Sequence, residues 1–488
     1  MQLILIVQVS IALLAGELTG LLPIGPWAGL LIAIAGPMLA LVHGLVLSWN
    51  AHRLMDRASR AGVEALFRSN GWMGWVVTST MALAACSDLA RAAEPTIGFI
   101  GVSVLLMGLA ITATLTTYAT TWSVEKRLRE SSLMRALDGM APLHPMPSRG
   151  AFVLMQARAG LVPMLVPLLV PIVMSEALRA LALRFDPDLA EPARFTGALA
   201  GTVLLFVMVP LLVPPLLGLR RLAPGPMRDD LEELAKGAGV GVREIWVWPT
   251  EGLIANAAVM GAIPGLRCVM LSDCLLECMP REQVRAVMAH ELGHVVRRHL
   301  PWMLVVIIGC WTLAGAMVTP IAQFIYERAV SESSEASVAG ITQAAALARD
   351  ACVLGLGLVA FGFASRRFER QADTYAVQLL SAGAPRVVAT GEAETSVAET
   401  SVVATGVVAT GAAVDAMAGA LGTVALLNNV APTRSSWRHG SIAWRQDYLR
   451  TLTGSDCDAM SIDRLVVAMR WIAAAVIGVE LARGFFPL

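Results

Sequence analysis

The sequence predicts a mainly α, multi-pass helical membrane protein with an inserted α+β domain. Hydrophobic residues make up 56% of its 488 residues and charged residues only 15%, a composition typical of integral membrane proteins. Apolar runs long enough to cross a bilayer recur along the chain. Between residues 220 and 300 the composition changes to that of a soluble domain. These three observations together favour helical spans around one polar insertion.

Nine apolar runs are candidate spans. Six precede the polar segment, so residues 1–219 are predicted to form an N-terminal membrane domain of about six spans. Residues 301–364 hold two more, and residues 464–488 hold the last. Charged residues interrupt the final two runs, which weakens them as spans. The runs cover residues 3–22, 27–49, 71–89, 95–122, 151–173, 196–219, 302–324, 341–364 and 465–481.

The loops between these runs differ in charge. Residues 53–68, 126–149 and 220–228 lie in alternate loops and are rich in arginine, whereas the opposite loops carry fewer basic residues or balance them with acidic ones. Because positive residues accumulate on the cytoplasmic side, the polar insertion is predicted to be cytoplasmic. This orientation suits a plasma membrane or a bacterial inner membrane. The apolar N-terminus lacks a basic leader region and is predicted to be a first span.

The overall charge and the cysteines exclude some function classes. The formal net charge is zero and no nucleic-acid-binding motif is present, so no nucleic-acid partner is expected. The seven cysteines are scattered, apart from Cys274 and Cys278. That pair has helical rather than metal-knuckle spacing, so we expect all seven to be reduced.

The segment 280–299, PREQVRAVMAHELGHVVRRH, has the pattern of one helix. Pro280 suits a first helical turn, and apolar residues recur at helical spacing. His290 and His294 are four residues apart, so both imidazoles can reach one tetrahedral zinc ion with Glu291 beside them. This HExxH pattern is that of a metalloprotease. With seven histidines in the whole chain, a chance match on an amphipathic helix is the rarer alternative.

Three short β-rich runs precede this helix: REIWVWP, NAAVMG and LRCVMLSD. The last two are separated by the turn sequence AIPG, which predicts a hairpin. An edge strand beside a zinc site can pair with an extended substrate, and residues 256–261 are the candidate. Its proposed substrate-binding residues are Asn256, Ala257 and Ala258; an ordinary core strand is the alternative. The fold class is therefore a multi-pass helical membrane protein with an inserted α+β zincin-like catalytic domain over residues 220–300.

A catalytic zinc ion usually takes three protein ligands and a water molecule. The metzincin pattern fails, because Arg297 and Leu300 stand where its glycine and third histidine belong. His299 lies out of phase with the two motif histidines and is expected to be interfacial or to support a ligand. A third ligand must therefore come from elsewhere in the chain.

Residues 365–385 are predicted to form a helix on which Glu369 and Asp373 share one face. One carboxylate could bind zinc while the other accepts a hydrogen bond from a ligand histidine. The alternative is a solvated face on which neighbouring arginines pair with both carboxylates. The spacing alone leaves both interpretations open.

The segment 386–413 has low complexity, with VVATG repeated three times. Small and β-branched residues without aromatics cannot build a core, so an exposed, disordered insertion is predicted. Residues 414–463 then form a C-terminal segment on the same side as the site and contain His439 and Arg445.

These motifs together resemble a known family. HELGHVVRRH, preceded by NAAVMG and LSDCLLECMPREQVRAVMAHE and followed by SRRFERQADTYA, is similar to the membrane zinc metalloproteases that include the CAAX prenyl protease and the HtpX-type heat-shock protease. The resemblance covers roughly residues 221–380. It implies a gluzincin-like site with one zinc ion per chain, Glu291 as general base and Asp373 as a supporting residue. The implied zinc ligands are His290, His294 and Glu369.

Members of that family also carry a late histidine followed six residues later by an arginine, usually as HPPxxxR. Here the matching residues are His439 and Arg445 in HGSIAWR, which keeps the spacing but lacks the prolines. The resemblance implies that these two residues stabilise the oxyanion of the reaction.

The expected function is that of an integral-membrane, zinc-dependent metalloendopeptidase acting on membrane proteins or peptides. One alternative is a CAAX-type protease that cleaves prenylated peptides. Another, from a different class, is a non-catalytic scaffold or transporter with a relic protease domain. The expected partners are a peptide or membrane-protein substrate and the lipid bilayer.

Overall fold

The computed structural model describes residues 2–57, 60–136, 146–261, 263–331, 335–382, 408–428, 430–457 and 460–485. Helices dominate these residues, and one small sheet lies within them. The chain divides into two compact units, Met1–Leu205 and Phe206–Leu488. The predicted fold class, a multi-pass helical membrane protein with an α+β insertion, is confirmed.

The first unit is helical throughout its described elements. Gly36 lets helix α3 (Pro26–Asp56) approach helix α4 (Arg60–Cys86) closely, because a Cβ there would lie only 2.6 Å from Thr80 Oγ1. Such close approach at small residues is how membrane helices pack without a hydrophobic driving force. Gly98 has a φ of 71° and kinks α5. The helices are α1 Gln2–Leu13, α2 Ala15–Leu18, α3 Pro26–Asp56, α4 Arg60–Cys86, α5 Leu89–Ala136, α6 Arg149–Gly160, α7 Val162–Ala182 and the start of α8 Ala190–Leu217.

The division between the units falls within α8, whereas the sequence places the end of the membrane domain at residue 219. The last turns of α8 belong to the second unit. Within that unit Gly261 approaches Pro210 so closely that a Cβ on the glycine would lie 2.7 Å from Pro210 Cγ.

Several described helices are long and apolar enough to cross a membrane. Among the described residues, four single helices are long and apolar enough to cross. The number is up to six if each of two bent helix pairs counts as one span. The predicted total of nine stays a prediction. Its first span, residues 3–22, is divided between α1 and α2. The four helices are Pro26–Asp56, Ile100–Glu130, His299–Ser331 and Ala344–Ala382.

The second unit contains a four-stranded sheet in the order β1-β2-β4-β3. β2 and β4 are parallel, while β3 and β4 form the predicted antiparallel hairpin. Ala262, in the predicted turn, lies outside the described residues. β3 therefore occupies one edge of the sheet. The strands are β1 Arg220–Arg221, β2 Glu244–Trp248, β3 Ala257–Met260 and β4 Cys268–Ser272.

Helices of the second unit pack against this sheet. Leu275, Met288 and Leu292 are fully buried in the core that joins the sheet to α11, and burying each such side chain stabilises the fold by roughly 1.5–3 kcal/mol. The helices are α9 Pro226–Gly237, α10 Asp273–Cys278, α11 Arg281–Val296, α12 His299–Ser331, α13 Glu335–Ala382, α14 Gly411–Leu427, α15 Ile442–Arg450 and α16 Ser461–Phe485.

The prediction of one helix over 280–299 is wrong at its C-terminal end. α11 stops at Val296, and Arg298 adopts a left-handed φ of 52°. Such a conformation is uncommon for a residue other than glycine and ends a helix. α12 then starts at His299 after this break, so this histidine does not simply continue α11 about two and a half turns along from His290.

The low-complexity insertion was predicted to extend to Ala413, but its last residues belong to the fold. Ala409 is 2% exposed, and its N–H donates to Ser455 O at 3.0 Å. The Thr410 hydroxyl accepts from Ala413 N–H and caps α14. The third VVATG repeat thus supplies a helix cap and small core residues, roles that its composition does not reveal. Residues 386–407 lie outside the described residues.

Candidate metal centre

The two motif histidines project from α11 toward Glu369 on α13. His290 Nε2 lies 3.2 Å from His294 Nε2. Glu369 Oε2 lies 3.7 Å from His290 Nε2, and Glu369 Oε1 lies 3.9 Å from His294 Nε2. With zinc bonds of about 2.1 Å, two ligands of a tetrahedral ion are about 3.4 Å apart. One ligand atom from each residue therefore converges on a volume that suits one zinc ion.

Gly293, inside the HExxH motif, brings α11 close to α13. A Cβ at this position would lie 3.1 Å from Tyr375 Cδ1 and 3.2 Å from the Ala372 carbonyl oxygen. Ala372 and Ala376 are fully buried in the same contact. Small residues on both helices thus bring the two histidines within reach of Glu369.

Asp373 lies behind His290, one turn from Glu369 on α13. Its Oδ1 is 2.9 Å from His290 Nδ1, and the carboxylate is fully buried. A carboxylate in this place orients a ligand histidine and makes it more basic. Burial favours the neutral form of His290, but the Asp373 carboxylate outweighs it and raises the histidine pKa.

Arg445, from α15, holds Asp373 through a two-pronged contact. Its Nε donates to Asp373 Oδ2 at 2.8 Å and its Nη2 donates to Oδ1 at 2.6 Å. Nη1 lies 3.5 Å from Glu369 Oε2. Burial disfavours the charged form of Arg445, yet the two carboxylates prevail and raise its pKa. These contacts are those of a residue that fixes both carboxylates; the predicted oxyanion role of Arg445 stays a prediction.

His439 reaches the same centre from a tight turn. Ser436 and Gly440 exchange backbone hydrogen bonds of 3.0 and 3.1 Å, and Gly440 has the left-handed φ of 75° that this turn needs. The turn places His439 Nδ1 3.1 Å from Glu369 Oε1 and leaves 48% of the histidine side chain exposed. A half-exposed imidazole at the centre is accessible to a bound substrate.

Glu291 points from α11 toward the sheet edge. Its Oε2 accepts a hydrogen bond of 3.2 Å from the Val259 N–H on β3. Burial raises the pKa of Glu291 to about 7, which is close to the value that suits a general base at neutral pH. Burial also lowers the pKa of His294 to about 3, so this imidazole is neutral and can offer a lone pair to a metal ion.

The orientation of β3 determines which of its backbone groups are free. The Asn256 carbonyl accepts from Ser272 N–H at 2.9 Å, and Asn256 N–H donates to Ser272 Oγ. Backbone groups of an antiparallel edge strand alternate between the partner strand and the outside, so Ala257 and Val259 point outward. The bond between Val259 and Glu291 shows that this edge faces the centre. Of the predicted substrate-binding residues, Ala257 has outward backbone groups, whereas the backbone groups of Asn256 and Ala258 face β4. Val259 lies within the predicted edge 256–261 but was not among the predicted substrate-binding residues.

Comparisons with known proteins agree with this geometry. The family model described as "Peptidase family M48" matches residues 225–417. A "Protease HtpX homolog" from Janthinobacterium sp. (strain Marseille) is 29% identical over 162 residues, which cover 33% of this chain and 54% of the relative. A "CAAX prenyl protease 1 homolog" from Arabidopsis thaliana is 25% identical over 190 residues, covering 36% and 42% of the two chains.

Among solved structures, the crystal structure of S. mikatae Ste24p aligns with 88% of this chain and 100% of its own chain, with 15% identity and a TM-score of 0.42. The chain spans about half the length of the curated bacterial relative it matches. The resemblance to membrane zinc metalloproteases is confirmed by the family model and by the protease relatives. Over residues 225–417, this chain is thus similar to peptidase family M48.

Proposed function

We propose that this protein is an integral-membrane, zinc-dependent metalloendopeptidase whose site lies on the cytoplasmic side. The observation that carries the proposal is the convergence of His290, His294 and Glu369 within 4.8 Å of one another. Glu291 stands beside them and faces an open strand edge. A protein that only retained the fold as a scaffold has no need for these groups to converge.

His290, His294 and Glu369 would hold the metal ion. A zinc ion bound there supplies Lewis-acid polarisation of a water molecule and of the scissile carbonyl. Glu291 accepts the proton of the attacking water and later delivers it to the leaving amine, so one carboxylate serves both transfers. Asp373 and Arg445 keep the His290 ring and the Glu369 carboxylate in place.

The edge strand and His439 act on the substrate. The outward N–H and C=O groups of Ala257 and Val259 can pair with an extended peptide, which aligns its scissile carbonyl over the centre. For this pairing Glu291 releases the Val259 N–H, which frees the carboxylate for proton transfer. The exposed His439 imidazole can donate a hydrogen bond to the oxyanion that develops.

Membrane proteins and peptides are the substrates we favour. Relatives named HtpX share the catalytic segment and are proteases by name. The similarity to a CAAX prenyl protease homologue favours prenylated peptides as a second candidate. Preferential cleavage of a farnesylated peptide over its unmodified form would reverse this order.

The test compares wild type with Glu291→Gln in detergent, on casein and on a membrane-protein substrate. The proposal predicts cleavage by wild type that a zinc chelator abolishes and zinc restores. Glu291→Gln should bind zinc as wild type does and lose cleavage by at least about a hundredfold. A scaffold would show no cleavage in either protein, and an unchanged rate in the variant would remove Glu291 from its role.

A further inference from the structure

A series of buried and half-buried polar side chains extends behind His294, away from the predicted metal ion. His299 is 1% exposed. Its Nδ1 lies 2.8 Å from His294 Nδ1, and its Nε2 lies 2.9 Å from Gln371 Oε1. Gln371 Nε2 in turn donates to Asp463 Oδ1 at 2.6 Å. These side-chain contacts thus link α11 through α12 and α13 to the first turn of α16.

The donors and acceptors of this series can be assigned from its outer end. A carboxylate only accepts hydrogen bonds, so Asp463 must face the amide NH₂ of Gln371. The Gln371 carbonyl oxygen is then turned toward His299. Arg470 supports this orientation, because its Nη2 lies 3.3 Å from the same oxygen and can only donate.

The assignment continues through the two imidazoles. Since Gln371 Oε1 accepts, His299 must carry its proton on Nε2. A neutral imidazole with that proton has a lone pair on Nδ1, which accepts the Nδ1–H of His294. His294 is thereby left with a lone pair on Nε2, the atom that lies 3.2 Å from His290 Nε2.

We propose that His299, Gln371 and Asp463 form a tautomer relay that holds His294 protonated on Nδ1 and directs its Nε2 lone pair into the metal centre. The inference rests on the proposed function, since it concerns a ligand of that centre. The three are positioning residues: they act through His294 and touch neither substrate nor metal.

The two ligand histidines are therefore supported in different ways. A ligand histidine usually donates its second N–H to a carboxylate, a backbone carbonyl or water, and His290 has Asp373 at 2.9 Å. His294 instead faces the imidazole of His299. In its other tautomer, His299 would donate a hydrogen bond to His294 rather than accept one. Gln371 and Asp463 prevent this reversal. Asp463 fixes the Gln371 carbonyl oxygen as the acceptor for His299 Nε2–H, and His299 Nδ1 is then left as an acceptor for His294.

Local structure fixes the His299 ring in this place. The left-handed Arg298 separates α11 from α12, and His299, the first residue of α12, faces His294. The His299 ring stacks on Phe368, with centroids 4.8 Å apart and an interplanar angle of 28°. Arg297 Nη2 donates to Asp463 Oδ2 at 3.1 Å and holds the outer end of the relay.

The test is the zinc affinity of detergent-purified full-length protein, measured by competition with a chelator. His299→Phe keeps a ring to stack on Phe368 but removes both hydrogen bonds, and we expect its zinc dissociation constant to rise about 10–100-fold. His299→Asn places a carbonyl oxygen where Nδ1 stood, so it should restore much of the affinity. Equal loss in both variants would indicate a packing role and overturn the relay.

A second readout needs neither zinc nor activity. In metal-free protein, ¹⁵N shifts of the histidine nitrogens, assigned with His294→Gln, report which nitrogen of His294 carries the proton. The relay predicts Nδ1–H in wild type and a mixture in His299→Phe and in Gln371→Leu. A wild-type His294 protonated on Nε2 would refute the relay even if no variant folds. Wild type that shows Nδ1–H but binds no zinc would instead contradict the proposed function.

Discussion

Arg445→Met should be one of the most destabilising single changes in the second unit. Arg445 is 7% exposed and gives two hydrogen bonds, of 2.8 and 2.6 Å, to the fully buried Asp373. Removing one partner of a buried ion pair costs about 3–5 kcal/mol, because it leaves the other charge buried without compensation. His290 remains 2.9 Å from Asp373 and offsets part of this, so we expect about 3 kcal/mol.

The assay is chemical unfolding of metal-free protein in detergent, so that loss of metal does not enter the result. Arg450→Met is the matched control: Arg450 lies on the same helix, is paired with Asp447 at 2.9 Å, and is 61% exposed, so its loss should cost less than about 1 kcal/mol. Arg445→Lys keeps the positive charge but cannot give both hydrogen bonds to Asp373, so its loss of stability should lie between those of Arg445→Met and Arg450→Met.

A double-mutant cycle with Asp373→Asn separates the ion pair from packing. The double variant should be more stable than Arg445→Met alone, because no buried carboxylate is left without its partner. If Arg445→Met and Arg450→Met unfold within about 1 kcal/mol of each other, the reasoning about this buried pair is wrong.

Three further predictions concern α11 and its surroundings. In metal-free protein the pKa of Glu291 rises from 4.5 to about 7 on folding, so this carboxyl should contribute a loss of up to about 3 kcal/mol of stability as pH rises through that window. The stability of wild type relative to Glu291→Gln should therefore fall by that amount between unfolding curves at pH 4.5 and 8; an unchanged difference would contradict the raised pKa. Gly293→Ala should push α11 from α13 and weaken zinc binding, measured by chelator competition, with Gly237→Ala, where a Cβ meets nothing within 4 Å, as the control. Leu275→Ala, at a fully buried site, should cost about 2–5 kcal/mol in denaturant unfolding; a cost below about 1 kcal/mol would count against the core described here.

Local geometry made much of the centre predictable. Two residues four apart on a helix must share a face, which is why the pairs His290 with His294 and Glu369 with Asp373 could be placed from spacing alone. The hairpin that carries the edge strand followed from its turn residues in the same way. Which carboxylate meets which histidine depends on how α11 packs on α13, and there only the family resemblance separated the alternatives.

The rest depends on contacts that no local pattern records. The left-handed turn at Arg298 uses a residue with no preference for it, so the position of His299 could not be derived from helical phase. Gln371 and Asp463 are 92 residues apart and meet only because α13 and α16 pack side by side. The third VVATG repeat belongs to the fold because Thr410 caps α14, a role that the composition of the repeat does not record.

The central claim is that His290, His294 and Glu369 bind one catalytic zinc ion. The most direct measurement is the zinc content of detergent-purified wild type, Glu369→Ala and Glu291→Gln by elemental analysis after dialysis. The account predicts about one zinc ion per chain in wild type and in Glu291→Gln, and almost none in Glu369→Ala. Full zinc occupancy in Glu369→Ala would contradict it.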